Sequence, residues 1–225
     1  MRIPGHTRVD NGIRWVKKEK DFVDIASNYG VLRVQPVNNK LVLIRFKKGQ
    51  LGYFSQLYPS FEPEAVLKDK KLAEFDISKD TPLNWNVREQ KDFIEIKTNV
   101  FVIRCQKKSG ALSFFRGAEM FLCEKPMEPR FVNSGNGAYE FFGWAKNEKL
   151  DARGILPTDL TRVTMKARYI SFGQKPLRMP WLLSEKGYQI GIAAPSGVLF
   201  CGIPSFGPYI YCEDTAEMNY YVAVK

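Results

Sequence analysis

The chain has 225 residues, 44% hydrophobic and 13% aromatic, enough to fill a sizeable core, and it holds no run of about 18 apolar residues able to span a bilayer. Its net charge of +10 invites a polyanionic partner, but the distribution argues otherwise: the first 50 residues carry 11 basic against 4 acidic residues, and the next 50 carry 7 against 9. Short basic pairs such as Lys17-Lys18 and Lys47-Lys48 alternate with apolar residues as solvated strand faces do, and no zinc-finger spacing, RNA-binding aromatic motif or basic helix accompanies them, so neither nucleic acid nor membrane is an expected partner.

In chain order the sequence reads as a succession of short strands. The start, MRIPGHTRVDNG, lacks the apolar core of a secretory signal, and residues 1–25 read as an N-terminal extension. Strands are expected at Phe22 to Ile25, Tyr29 to Pro36 and Lys40 to Lys47, with Asn38-Asn39 turning Val31 to Lys47 into a hairpin. Leu51 to Asp80 is irregular, with Pro59, Pro63 and a possible short helix from Glu64 to Phe75, and no role is assigned to it.

The strand pattern resumes at Asn86 to Glu89, Phe93 to Lys97, Val100 to Gln106 and Leu112 to Phe115, with Gly110 as the turn glycine. Residues 116–140 read as strand and loop. Two apolar runs follow, Met179 to Leu183 and Tyr188 to Ala194, joined by Ser184-Glu185-Lys186-Gly187, and they predict a buried hairpin whose turn needs positive φ at Gly187. Its approach, Ala167 to Arg178, is polar, aromatic and basic and reads as an exposed loop. Val198 to Cys201, Tyr209 to Cys212 and Met218 to Val224 complete the set. Many short strands at spacings of about 8 to 12 residues indicate an all-β, antiparallel β-sandwich of one domain over residues 26–225.

Chemistry is sparse. The single histidine, His6, rules out a Ser-His-Asp triad and a metal site built from several histidines. Cys105, Cys123, Cys201 and Cys212 are widely spaced and form no C-x-x-C pair, so free, mostly buried thiols in the reducing cytoplasm are expected, with no metal and no cofactor. Trp15, Trp85, Trp144 and Trp181 lie in or beside strand patterns and are expected in the core rather than as sugar platforms, Trp181 above all.

The run Met179-Pro180-Trp181-Leu182-Leu183-Ser184-Glu185-Lys186-Gly187-Tyr188-Gln189-Ile190 closely resembles the hairpin near the end of the N-terminal β-sandwich of glycoside hydrolase family 31, the α-glucosidases and α-xylosidases. Phe141-Phe142-Gly143-Trp144, followed by Leu150-Asp151-Ala152-Arg153-Gly154, is similar to that family's "Phe-Tyr-Gly-Leu-Gly … Leu-Asp-x-Arg-Gly" segment. Thr98 to Phe115 resembles an earlier hairpin, and Leu32-Arg33-Val34 with Ile44-Arg45-Phe46 resembles an earlier strand pair, all in the family's order.

The resemblance implies a galactose mutarotase-like supersandwich that is the non-catalytic N-terminal domain of a retaining α-glycosidase. Its partners would be a C-terminal (β/α)₈ barrel of the same polypeptide and an α-linked carbohydrate. The family's nucleophile motif, "Trp-x-Asp-x-Asn-Glu", is absent, and Glu217-Met218-Asn219-Tyr220 is only an echo of it, so no catalytic residue is expected and the segment alone is expected to be inactive. The family's "Trp-Asn-Thr-Asp" loop is also missing, since Val163 to Lys166 reads Val-Thr-Met-Lys. Asp159, Arg168 and Tyr169 are the candidates for substrate contact in its place, arginine offering planar donors and tyrosine a stacking face. Two alternatives stay open: a free-standing carbohydrate-binding module, and a structural sandwich with no sugar role.

Overall fold

The structure, a computed structural model, describes residues 9–49, 53–77, 82–133, 137–145, 147–153, 167–170, 179–203 and 208–225. The first four strands are β1 (Ile13–Lys18), β2 (Val23–Ser27), β3 (Gly30–Pro36) and β4 (Leu41–Lys48). Two 3₁₀ turns, Pro59–Phe61 and Lys70–Phe75, flank the one-turn helix α1 (Pro63–Val66). A meander follows: β5 (Trp85–Glu89), β6 (Phe93–Thr98), β7 (Val102–Gln106), β8 (Leu112–Arg116) and β9 (Glu119–Cys123). The remaining strands are β10 (Arg130–Val132), β11 (Ala138–Phe141), β12 (Leu150–Arg153), β13 (Ala167–Ile170), β14 (Trp181–Ser184), β15 (Tyr188–Ile192), β16 (Val198–Cys201), β17 (Tyr209–Cys212) and β18 (Glu217–Val224).

Three antiparallel sheets result, ordered β1-β2-β3-β4-β18-β15-β14-β12, β5-β6-β7-β8-β9 and β10-β11-β17-β16-β13. One continuous apolar core joins them. It takes Val42, Ile44 and Phe46 from the large sheet, Ile94, Ile96 and Phe114 from the meander, and Ala138, Phe200 and Ile210 from the third sheet. The two smaller sheets thus form one layer against the inner face of the large one, and an isolated bridge between Glu124 and Phe142 stitches them together. This is the sandwich that the alternating strands predicted.

Within the large sheet the period of two sends alternate residues of β4 and β18 to opposite faces. Val42, Ile44, Tyr220 and Val222 enter the sandwich, while Leu41, Leu43, Tyr221 and Ala223 enter a second apolar cluster on the outer face. That outer cluster is completed by Phe61, Val66, Leu72, Phe75 and Ile77, which gives residues 53–77 the role that sequence reading left open. They cover the sheet. Side-chain hydrogen bonds pin them there, from Tyr221 Oη to the Phe61 carbonyl (2.6 Å) and from Trp181 Nε1 to Asp69 Oδ2 (2.9 Å). In place of one helix over Glu64 to Phe75 the segment makes separate short turns, because Asp69 is extended and its side chain caps the next turn by accepting from Lys71 N.

The expected hairpins are present, β7 pairing with β8 as well. β3 and β4 pair from Gly30↔Lys48 to Pro36↔Val42, and β14 and β15 pair around a turn in which Gly187 has φ +79°. Gly191 is needed opposite Trp181, since a Cβ there would lie 2.7 Å from the indole ring. The resembling segments also meet: β12, carrying Leu150-Asp151-Ala152-Arg153, pairs directly with β14, carrying Trp181-Leu182-Leu183-Ser184.

Three expectations change. Residues 13–18, read as part of an extension, form edge strand β1 hydrogen-bonded to β2. Trp15 on that edge is 43% exposed, because an edge strand has only one neighbour to cover it, whereas Trp181 is fully buried as expected. Residues 167–170, read as the start of a loop, form strand β13, paired to β16.

Candidate functional site

Of the three residues expected to touch substrate, Asp159 lies outside the described residues. Arg168 and Tyr169 sit in β13 at the edge of the third sheet, opposite Phe200 and Leu199 of β16.

The richest polar site lies elsewhere, on the outer face of the large sheet. Cross-strand register sets Asp24, Arg33, Arg45 and Asn219 in one row across β2, β3, β4 and β18. Each is directly opposite the next. Asp24 takes a two-pronged ion pair from Arg33, Nε to Oδ1 and Nη2 to Oδ2, both at 2.8 Å. Arg45 donates from Nε to Asn219 Oδ1 (3.0 Å) and from Nη2 to Glu217 Oε2 (3.0 Å) and the Ser55 carbonyl (2.5 Å).

Two arginines side by side would repel, and three features offset this. Phe54 lies between them with each guanidinium 4.8 Å from its ring centroid, and Asp24 and Glu217 supply a counter-charge at each end. Burial pulls the Arg45 pKa below the ordinary arginine value, while Glu217 holds it up. Glu217 is itself saturated, since its Oε1 accepts from Ser55 N (2.7 Å) and Ser55 Oγ (2.9 Å).

Beside this row opens a pocket of about 300 Å³, lined by Arg45, Glu217 and Asn219 together with Gln56, Tyr58, Pro195 and Asp214. Sequence reading passed over Glu217 and Asn219 as a chance echo of a motif. The only local signal was two polar residues at i, i+2 in an otherwise apolar strand, which puts both on one face.

Two further acidic groups are sealed inside. Glu124 Oε2 accepts from Leu112 N (2.6 Å) and from Arg130 Nη2, and its Oε1 accepts from Tyr220 Oη (2.6 Å). Glu140 faces the same arginine, with Nε to Oε2 at 3.6 Å, too long for a hydrogen bond, and both of its oxygens lack a hydrogen-bond partner. Burial, and then the neighbouring Glu124 carboxylate, push the Glu140 pKa well above the ordinary carboxylate value. Burial also works against the Arg130 charge, but Glu124 and Glu140 outweigh it and hold the guanidinium above its ordinary pKa. With both carboxylates at 1% exposure or less, this pair has no access to a glycosidic bond and does not form a glycosidase acid–nucleophile pair. Among the described residues, no group of three or more His, Cys, Asp or Glu is placed to hold a metal ion.

The outer face of the third sheet is aromatic. Tyr139, Phe141, Tyr209 and Tyr211 alternate with inward-facing Glu140 and Ile210, and the Tyr139 and Tyr211 rings lie 4.5 Å apart. The tyrosines are half-buried.

Comparison with known proteins identifies the architecture. No family model and no curated protein matches the sequence. Among solved structures, a GH31 dextranase from Flavobacterium johnsoniae complexed with glucose matches 98% of this chain with a TM-score of 0.74 and 16% identity. The fold is shared with glycoside hydrolase family 31 enzymes. A GH31 α-xylosidase from a soil metagenome, complexed with xylose, matches 94% of the chain (TM-score 0.69, 13% identity), and a Listeria monocytogenes cycloalternan-forming enzyme in complex with a pentasaccharide substrate matches 96% (0.69, 11%). This chain spans 27%, 32% and 21% of those three chains, respectively. The likeness covers nearly the whole sandwich and about a quarter of the dextranase.

Proposed function

We propose that this chain is the non-catalytic, N-terminal β-sandwich of a family 31 retaining α-glycosidase, whose work is to pack against a catalytic (β/α)₈ barrel and shape the mouth of its active site. The observation that carries the reading is the asymmetry of coverage, 98% of this chain against 27% of the dextranase. It supports a reading in which the chemistry of such an enzyme resides in the rest of its chain. The Glu124–Glu140 pair is compatible with this reading, since both carboxylates are sealed in the core.

The half-buried tyrosine face of the third sheet supports the packing role. Aromatic residues with polar tips are enriched where one protein surface covers another. The free thiols are compatible with the cytoplasmic location we infer.

The test is to read the gene past the codon for Lys225. Several hundred further codons, alternating strand and helix patterns and carrying an acidic nucleophile motif, are expected. A stop codon at that point would overturn the reading.

A further inference from the structure

We propose that the pocket beside Arg45 and Asn219 on the outer face of the large sheet is a binding site for one neutral pyranose unit of an α-glucan. The choice of a glucan as ligand rests on the reading above; the choice of a neutral polyhydroxylated ring rests on the pocket.

Charge decides the ligand class first. The Arg45 guanidinium is matched by Glu217 at 3.0 Å, Lys47 Nζ stands 3.9 Å from the same carboxylate, and Asp214 adds a negative group at the rim. A phosphate or carboxylate ligand would meet Asp214 and Glu217 with no uncommitted cation among the described lining residues to offset them. A cation would meet Arg45. The site suits a ligand without charge.

Hydrogen-bonding capacity decides next. Arg45 and Asn219 are both over nine-tenths buried at the base of the pocket. Arg45 spends Nε and Nη2 on Asn219, Ser55 and Glu217, and Asn219 spends Oδ1 on Arg45; Arg45 Nη1 and Asn219 Nδ2 take no partner among the described residues. Two fixed donors therefore lie near the acceptor Asp214 and the bifunctional Gln56 amide. Adjacent sugar hydroxyls each donate and accept, and a base that mixes donors with acceptors matches them as a purely basic or acidic one would not.

Shape completes the argument. Tyr58, 48% exposed, stands at the rim with its ring available to the C–H face of a pyranose, and Pro195 gives an apolar wall. A cavity of about 300 Å³ is at the small end of small-molecule sites and suits a single ring rather than a chain. Arg45 and Asn219 are locked by cross-strand pairing and by Phe54, so the donors are in place before a ligand arrives.

The experiment is a titration of isomaltotriose into the ¹⁵N-labelled 225-residue chain, followed by amide shifts. Saturable shifts confined to residues 55–58, 193–195 and 214–219 are expected, with a dissociation constant of about millimolar order, as for one ring held by a few hydrogen bonds. Tyr58→Ala and Asp214→Asn, both at exposed positions, should each weaken binding about tenfold, while Met120→Ala on the other layer leaves it unchanged. Absence of saturable shifts, shifts centred on the tyrosines of the third sheet, or undiminished binding by both pocket variants would overturn the proposal. Its failure is separable from that of the domain reading: a gene that continues past Lys225 with no sugar binding sinks the pocket alone, and a stop codon with sugar binding sinks the domain reading alone.

Discussion

Glu148 Oε1 accepts a hydrogen bond from Ser184 Oγ at 2.6 Å, and the Tyr188 hydroxyl donates to the same oxygen. The approach to β12 is thereby fastened to both strands of the β14–β15 hairpin. The carboxylate is almost fully buried, and Lys186 Nζ reaches its other oxygen at 3.1 Å. Glu148→Ala would leave two buried hydroxyls without their acceptor. The expected loss is about 3 kcal/mol, or a fall in Tm of about 6 to 12 °C for a domain of this size, read by thermal unfolding. Glu148→Gln, which keeps an acceptor oxygen, should recover part of it.

Glu140 sets a pH dependence. Burial raises its folded pKa far above the 4.5 of an ordinary glutamate, so in the window above that value the folded state holds a proton that the unfolded state has released. Stability is full below about pH 4.5 for this group and declines as pH rises toward its folded pKa, by up to about 1.4 kcal/mol per pH unit. The groups facing it do not reverse the trend: Tyr220 and Cys212 are also held neutral by burial, and the Glu124 charge is already matched by Arg130. Glu140→Gln mimics the protonated form. Urea unfolding at pH 5 and pH 8 should show a flatter profile for the variant, and an equally steep one would refute this assignment.

The contact between Gly191 and Trp181 leaves no room for a methyl group. Gly191→Ala forces the indole or the strand to move and is expected to cost about 1–3 kcal/mol. Tryptophan fluorescence of the folded variant should shift as Trp181 leaves its dry packing, while Gly117→Ala, open on every side but at φ +61°, should cost only its backbone strain.

The thiols should be nearly silent in the native state. Burial pushes Cys105 up to about 12 and Cys212 higher still, and both are fully enclosed. Cys123 is half-buried and is also pushed up by burial and by Glu124. A thiol-reactive dye at pH 8 is expected to label Cys123 first and slowly, and to label all four cysteines only after unfolding. Rapid labelling of Cys105 or Cys212 would contradict the enclosed core.

The hairpins were legible because they are local. Alternation in Leu41 to Phe46, the Asn38-Asn39 turn, and the glycines at 110 and 187 each state a strand or a turn within a few residues. The candidate site was not legible in this way. Arg45 and Glu217 are 172 residues apart, and nothing in either strand announces the other. The role of residues 53–77 was hidden for the same reason: Phe61, Val66 and Leu72 carry little regular periodicity of their own and make sense only against Leu41, Leu43 and Tyr221.

From the sequence by itself came the all-β class, the main strand and turn positions, the burial of Trp181 and the resemblance to family 31. These depend on side-chain period and turn chemistry, which act over a few residues. Only the tertiary structure decided which faces pair across the sheet, where buried acids find arginine and tyrosine partners, and that Glu217 and Asn219 meet Arg45 beside a pocket. Those contacts are fixed by strand order and register, and a register shift of a single residue would turn Arg45 into the core and Ile44 out of it.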